Sequence, residues 1–428
     1  MAFASKPHRT ITLVLLTMLF SALAQGADSL GITEAVDTAI SSNPGLAQLR
    51  EKHAAFREVP SQVGTLPDPM VSLNAMNFPV SGFHRRQEPM TQVQLGVMQA
   101  FPFPGKLSLR KEAAEFDAIA VGHSVDDLRV QLVADVRMTW WQIYYLDRAL
   151  ETVKSNQQLF REFIDITRKK YEVGIGLQQD VLLAQLELSR LFDQQVQIEA
   201  MRTQQAIALN VLMDRPESVE VTLSPLAGQQ LNELQNKKVY FQLAESRPLL
   251  MRQKAQADAA KARLASAEKD HLPDFNVGVS YGDRRGDNPN GSSRDDFFSV
   301  MVGVKIPLYA SRKQDKALSQ RTHESQSAMY ATTDTRGRIY GAITKFMTAY
   351  GQASDRFDLF KTSIIPQATQ TVESMIGGYQ VNQVDFLNLV RAQITLLNYE
   401  LQYWRAYSDA KRSLAALEGA VGGGDVYE

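Results

Sequence analysis

The sequence predicts a mainly α-helical chain with a β-barrel contribution, made of four long helical rods and four transmembrane strands. Three observations predict it. A unit of about 200 residues is used twice. Prolines avoid two long stretches, and four short runs alternate apolar with polar residues.

The repeat organises everything else, since a missed internal repeat mis-assigns a fold. Tyr171-Glu-Val-Gly-Ile-Gly-Leu-Gln-Gln-Asp-Val-Leu-Leu-Ala-Gln185 is matched without a gap, 208 positions on, by Tyr379-Gln-Val-Asn-Gln-Val-Asp-Phe-Leu-Asn-Leu-Val-Arg-Ala-Gln393. Pro44 matches Pro248, Leu66-Pro-Asp68 matches Leu272-Pro-Asp274, and Phe101-Pro102 matches Ile306-Pro307, at offsets of 204, 206 and 205. The resulting division is a signal peptide (1–24), a first repeat (25–213), an equatorial linker of short mixed structure (214–244), a second repeat (245–418) and a disordered tail (419–428).

The N-terminal segment has the three parts of a secretory signal. Lys6, His8 and Arg9 are basic, Ile11 to Leu23 is apolar, and Ala22-Leu-Ala24 is a small-x-small cleavage site. No later stretch is long and apolar enough for a transmembrane helix. The chain has no cysteine, which excludes disulfides and a lipidated N-terminal Cys. With 46 basic and 47 acidic residues and a net charge of −1, no nucleic-acid partner is indicated.

The rods follow from where proline is missing. None occurs between Pro104 and Pro216, and only Pro366 after Pro307. Proline breaks helix interiors, so long helices are predicted over Gly105–Tyr171 and Ser311–Tyr379. Gly174 and Gly176 split the first stretch, and Gly377 to Asp385 splits the second. Return helices are predicted over Leu177–Asp214 and Asp385–Glu418, and preceding helices over Thr33–Gln62 and Glu245–Asp270. At 1.5 Å per residue a long helix runs about 100 Å, and each pair of short ones stacks to about that length. Leu146, Leu150, Val153, Gln157, Phe160 and Ile164 form a 3.5-residue seam. So do Val181, Ala184, Leu188, Leu191, Gln195 and Ile198, and Phe386, Leu389, Gln393, Leu396, Glu400, Tyr403 and Tyr407. The polar members indicate packing other than a dry zipper.

Between the rods, period-two runs centre on Leu73, Leu95, Val279 and Val302, apolar on one face and small or polar on the other. Their lengths suit transmembrane strands, though alternation alone also fits a soluble sheet. Four strands cannot close a barrel, and open edges are not tolerated in lipid, so several chains must share one. Phe78–Thr91 and Asp283–Asp296 are the external loops.

The chain resembles the TolC family of outer-membrane efflux ducts over about residues 30–419. The marks are the duplicated Tyr-x-Val…Ala-Gln turns, Asn43-Pro44, Leu66-Pro-Asp-Pro69 and Phe101-Pro-Phe-Pro-Gly-Lys106. The last is most like the branch serving heavy-metal cation exporters of the RND type. The resemblance implies a homotrimer with a 12-strand β-barrel on a 12-helix periplasmic tunnel. It implies a site in the outer membrane of a Gram-negative bacterium, contact with outer-membrane lipid, and docking to a periplasmic adaptor and an inner-membrane pump. For the periplasmic gate it implies Tyr379. Gln383 stands where the family's prototype has an arginine, and Asn388 and Arg391 where it has acidic rings. Asp385 and Asp180 are the nearest acids, and Asp385 also stands where an N-cap would. Gly174, Gly176, Val381, Asn382 and Gln383 are the expected adaptor-docking tips.

No pattern points to catalysis or a cofactor. His53, His84, His123, His271 and His323 have no metal-ligand spacing, and Gly174-x-Gly176 lacks the lysine of a phosphate loop. Met70, Met76, Met90 and Met98 near His84 are soft-metal candidates or packing filler. Arg168-Lys-Lys170 is a solvated face or an adaptor contact. The function expected is a passive exit duct for small solutes, heavy-metal cations among them. Its rivals are the exit duct of a type I protein secretion system and a periplasmic coiled-coil scaffold.

Overall fold

A computed structural model describes residues 29–225 and 228–423. The signal segment and residues 424–428 lie outside the described residues. The first repeat is α1 (Ile32–Ser42), α2 (Pro44–Gly64), β1 (Met70–Met76), β2 (Gln92–Phe101), α3 (Lys106–Glu172) and α4 (Gln178–Leu212). The second is α5 (Lys237–Ala244), α6 (Pro248–Lys269), β3 (Asp274–Arg284), β4 (Phe297–Lys305), α7 (Gln314–Leu359), α8 (Ile365–Gln380) and α9 (Phe386–Val421). Each element has its counterpart, with α7 and α8 together answering to α3.

Several boundaries differ from expectation, each for a local reason. The single helix expected over Thr33–Gln62 is two. Pro44 occupies the first turn of α2, and the Asn43 side chain accepts from Leu46 N at 3.1 Å, capping the new helix. Lys237–Ala244, assigned to the linker, is α5, the counterpart of α1. A π-helical turn over Phe360–Ile364 joins α7 to α8. Pro366 has no N–H for the carbonyl four residues back, and a widened turn accommodates that gap. Residues 419–421, expected in the disordered tail, complete α9 instead. Ala420 and Val421 are buried, and Gly422 ends the helix with φ 106°.

The rods pack side by side in a fixed order. The 67-residue helix α3 is about 100 Å long. Helices α2 and α4 lie along one side of it, α6 and α9 along the other. Helices α7 and α8 pack on α6 and α9. The four-rod layer therefore ends in the α2–α4 rod on one side and the α7–α8 rod on the other. The expected seams are buried at Leu146, Val153, Phe160, Ala184, Leu191 and Leu389. Their polar members tie α3 to both returning helices: Gln157 bonds Gln195 and Gln393 bonds Asn156, each at 2.8 Å. Around the equator Trp140, Ile143, Leu209, Phe357 and Tyr407 form an aromatic-rich core.

The strands form one antiparallel sheet in the order β1-β2-β3-β4. The repeat boundary falls between β2 and β3, where Phe101 pairs with Phe275. Register gathers the faces into rows. Leu73, Leu95, Tyr281 and Phe298 stand side by side, as do Val71, Val97, Val279 and Val300. All eight side chains are exposed, Leu73 at 73%. The opposite face carries the row Ser72, Gly96, Ser280 and Ser299. Both external loops project from the sheet end away from the rods, joined by the 3.0 Å Arg85–Asp283 ion pair. At the rod end, Lys106 is only 3% exposed. It donates to Asp274 Oδ1 at 2.8 Å and to the Leu272 carbonyl at 2.9 Å, pinning the first repeat to the second.

The methionine grouping does not hold together. Met70 pairs with Met98 at the rod end of the sheet, while Met76, Met90 and His84 belong to the loop end. A seven-residue strand separates the two sets, about 20 Å.

Candidate functional site: the paired helix tips

The two helix reversals are built alike. Gly174 adopts φ +75° and its counterpart Asn382 φ +61°, the left-handed conformation that turns each chain back. The backbone closes the same loop in each: Ile175 N donates to Lys170 O at 3.0 Å, and its counterpart Gln383 N to Gly378 O at 2.8 Å.

Beneath this likeness, bulk is exchanged. Lys170 faces Gly176 in the first tip; at the matching positions of the second, Gly378 faces Val384. A Cβ on Gly176 would lie 2.8 Å from Lys170 Cβ, and one on Gly378 would lie 2.5 Å from a Val384 methyl. Each tip holds one side chain and one glycine across the same gap, in opposite order. The first tip thereby carries a long cation where the second has none.

That cation reaches the other tip. Lys170 Nζ donates to the Tyr379 carbonyl at 2.5 Å and to Asn382 Oδ1 at 2.7 Å, and lies 4.1 Å from the Tyr379 ring centre. Tyr379 is buried against Phe386, ring centres 5.2 Å apart. Its hydroxyl is buried without a hydrogen-bond partner. Burial, and then the nearby Asp180 charge, pushes its pKa up to about 12.

Asp180 sits half-buried in the first turn of α4. Burial raises its pKa, and the Asp385 charge raises it further. Asp385 occupies the N-cap position of α9 with extended backbone, yet its side chain makes no capping bond and is exposed. The tips thus bring together Tyr379, Asp180, Asp385, Asn382 and Lys170. Asn388 and Arg391 lie one to two turns up α9. There they line a groove of about 470 Å³ between α8 and α9, with Gln367, Thr371 and Met375. Val381 and Gln383 are exposed at the second reversal. Sequence reasoning missed the clasp by Lys170. The only signal was the basic run Arg168-Lys-Lys170 beside the first tip.

Comparison with known proteins agrees with this architecture. The profile of the family described as outer membrane efflux protein matches residues 35–214 and 239–423, one segment per repeat. The outer membrane protein TolC of Vibrio cholerae is 21% identical over 300 residues, covering 68% of this chain and 67% of that protein. The alkaline protease secretion protein AprF of Pseudomonas aeruginosa is 23% identical over 260 residues, covering 58% of this chain and about half (53%) of its own length. The outer-membrane channel OprN superposes with a TM-score of 0.79 at 17% identity, covering 92% of this chain and 90% of that one. CusC superposes at 0.76 with 14% identity, covering 92% of each. With both repeats matched across nearly their whole length, the chain belongs to the outer membrane efflux protein family.

Proposed function

We propose that three copies of this chain form one passive exit duct, fed at the paired helix tips by an inner-membrane pump through a periplasmic adaptor. One observation carries the reading. The sheet runs β1 to β4 from one open edge to the other, and the rods run from the α2–α4 rod to the α7–α8 rod in the same direction. Helix α2 leads into β1 and β4 leads into α7. The open edges of both layers therefore lie on the same two sides. A single rotation that joins β4 to a neighbour's β1 also brings the α7–α8 rod to the neighbour's α2–α4 rod. The second rod offers Leu182, Leu186, Val196 and Val211, all exposed in one chain. Three copies supply twelve strands and twelve rods, and closure removes edges that lipid does not tolerate.

In this reading Tyr379, Asp180, Asp385, Asn388 and Arg391 line the periplasmic entrance, and the clasp by Lys170 holds it narrow. Gly174, Gly176, Val381, Asn382 and Gln383 are the surface met by the adaptor. The duct performs no chemistry, and the solute is chosen by the pump; small solutes, heavy-metal cations included, are the expected cargo. The match to AprF favours a second reading, in which a polypeptide passes through the same duct. The purified protein in planar bilayers tests the duct directly: discrete ionic conductance steps are expected, and a protein that never conducts contradicts it.

A further inference from the structure

The linker covers one face of α7 and α9 and leaves the other bare. Tyr350 of α7 donates to the Asn232 carbonyl at 2.6 Å, and Tyr403 of α9 donates to Gln229. Leu231 and Leu234 of the same segment pack on the core that holds Tyr350, Ala410 and Leu414. Three such linkers laid inside a tunnel would block it. In the duct the linker face is therefore outside, and the bare face lines the bore.

On the bare face α3, α7 and α9 enclose a pocket of about 370 Å³. Lys345 and Arg356 of α7 and Arg412 of α9 line it. Lys345 and Arg356 lie about 140° and about 120° around α7 from Tyr350, and Arg412 about 180° around α9 from Tyr403, by the 3.6-residue turn. Asp409 is the one carboxylate in the lining, 3.5 Å from Arg412. Lys345 and Arg356 make no ion pair among the described residues, and Arg356 reaches only Gln402, at 3.4 Å. Arg412 Nε is buried without a hydrogen-bond partner. Two positive charges are thus left without a counter-charge. Between the cations the lining is apolar, with Met138 and Phe346 its largest members.

We infer that this pocket binds an amphipathic organic carboxylate in transit along the duct. This rests on the duct reading above and adds a chemical class of cargo. Lys345, Arg356 and Arg412 hold the carboxylate, and Phe346 and Met138 take its apolar body. Guanidinium and carboxylate match in shape as well as charge. A neutral solute leaves the cations unpaired, and a bare inorganic anion leaves the apolar lining wet. The volume is that of a small ligand pocket, which starts at about 300 Å³, and gives room for a two-ring acid.

The site is built for release as well as capture. Lys345 and Arg356 are exposed and Arg412 is half-buried, and exposed charges hold a partner weakly. A conducting path needs sites that a solute can leave. Asp385 at the tip precedes Arg412 by 27 residues of sequence, about 40 Å of helix. That is several times the screening length of about 8 Å at physiological salt. The entrance carboxylates and the wall cations therefore act on passing solutes independently.

2-Naphthoate is a probe of this class, and 2-naphthamide is its neutral counterpart. Equilibrium dialysis of the full-length protein in uncharged detergent should show saturable binding of the acid, one molecule per chain, and none of the amide. Lys345→Gln with Arg356→Gln should weaken binding about tenfold or more, since two charge-assisted bonds are lost. Arg356→Lys, which keeps the charge, should retain most of it. Absence of binding, equal binding of the amide, or full binding by the double variant overturns the pocket. In planar bilayers the acid should lower the conductance of the native protein and not that of the double variant. Binding with unchanged conductance takes the pocket off the bore and overturns the transit role. A protein that binds the acid but never conducts overturns the duct reading and leaves the pocket standing.

Discussion

Lys170 Nζ lies 4.1 Å from the centre of the Tyr379 ring and donates a 2.5 Å hydrogen bond to the Tyr379 carbonyl. One side chain of the first repeat therefore holds the end of α8 in the second. The room it needs comes from Gly176, and the matching room in the second tip is taken by Val384. The duplicated tips have diverged so that one clasps the other.

Lys170→Ala should loosen the entrance. A partly exposed cation–π contact and its hydrogen bonds are together worth about 1–2 kcal/mol. That is small against the fold but large for a gate. Single-channel recordings should show a larger conductance, or more frequent opening, than the native protein. Unchanged recordings would assign the clasp to packing alone.

Asp385 makes no capping bond, so its carboxylate is free to act on ions. Repeated by symmetry it contributes three like charges to the entrance, and a ring of one sign selects for the opposite ion. Asp385→Asn should lower cation selectivity in bilayers and weaken block by multivalent cations, with assembly intact. The same selectivity in both proteins would move the selecting site away from the tip.

The outward strand face should reject charge. Val302 is 67% exposed on the apolar face, where a charge at mid-depth costs up to about 2–4 kcal/mol, less for Asp than for Lys or Arg. Val302→Asp should reduce the amount assembled in the outer membrane. Ser299→Asp, on the opposite face, should assemble at native levels. Equal amounts of the two would mean that the strand is misplaced, and a loss confined to Ser299→Asp that the faces are reversed.

Acid should weaken the joint between α5 and α7. The Glu245 carboxylate accepts from Arg336 Nε and from the Tyr340 hydroxyl, each at 2.8 Å. These bonds, the Arg336 one foremost, lower its pKa from 4.5 to about 2. A carboxyl with a depressed folded pKa contributes stability above its unfolded value, and that contribution is lost as pH falls from 4.5 towards 2. Denaturant unfolding of the detergent-solubilised protein across that window should show a shallower decline in Glu245→Gln. A decline of the same slope in both would place the acid sensitivity elsewhere.

Most of the architecture was legible because its signals are local and duplicated. Missing prolines marked α3, the 3.5-residue seams marked which faces are buried, and period-two runs marked the strands and their faces. The departures have physical causes that local pattern hides. Asn43-Pro44 was visible, yet it was read as a mark within one helix rather than as the capped start of a second. The π turn at Phe360–Ile364 depends on how the helix absorbs Pro366, which spacing does not reveal. Helix α5 is short enough to pass for linker. At the tips, Tyr379 was named through the family resemblance, and Asp180 and Asp385 as the acids nearest to it in the duplicated turns. The clasp by Lys170 joins residues more than 200 positions apart, and no periodicity links a cation to a carbonyl in the other repeat. The methionine cluster failed for the opposite reason: closeness in sequence was taken for closeness in space, and a strand intervenes.

The central claim, that one chain supplies a third of a shared duct, is tested most directly by native mass measurement of the protein extracted from outer membranes in detergent. The account predicts three copies, held together at both the strand seam and the rod seam. A stable single chain in detergent, with its β1 and β4 edges unpaired, would contradict it.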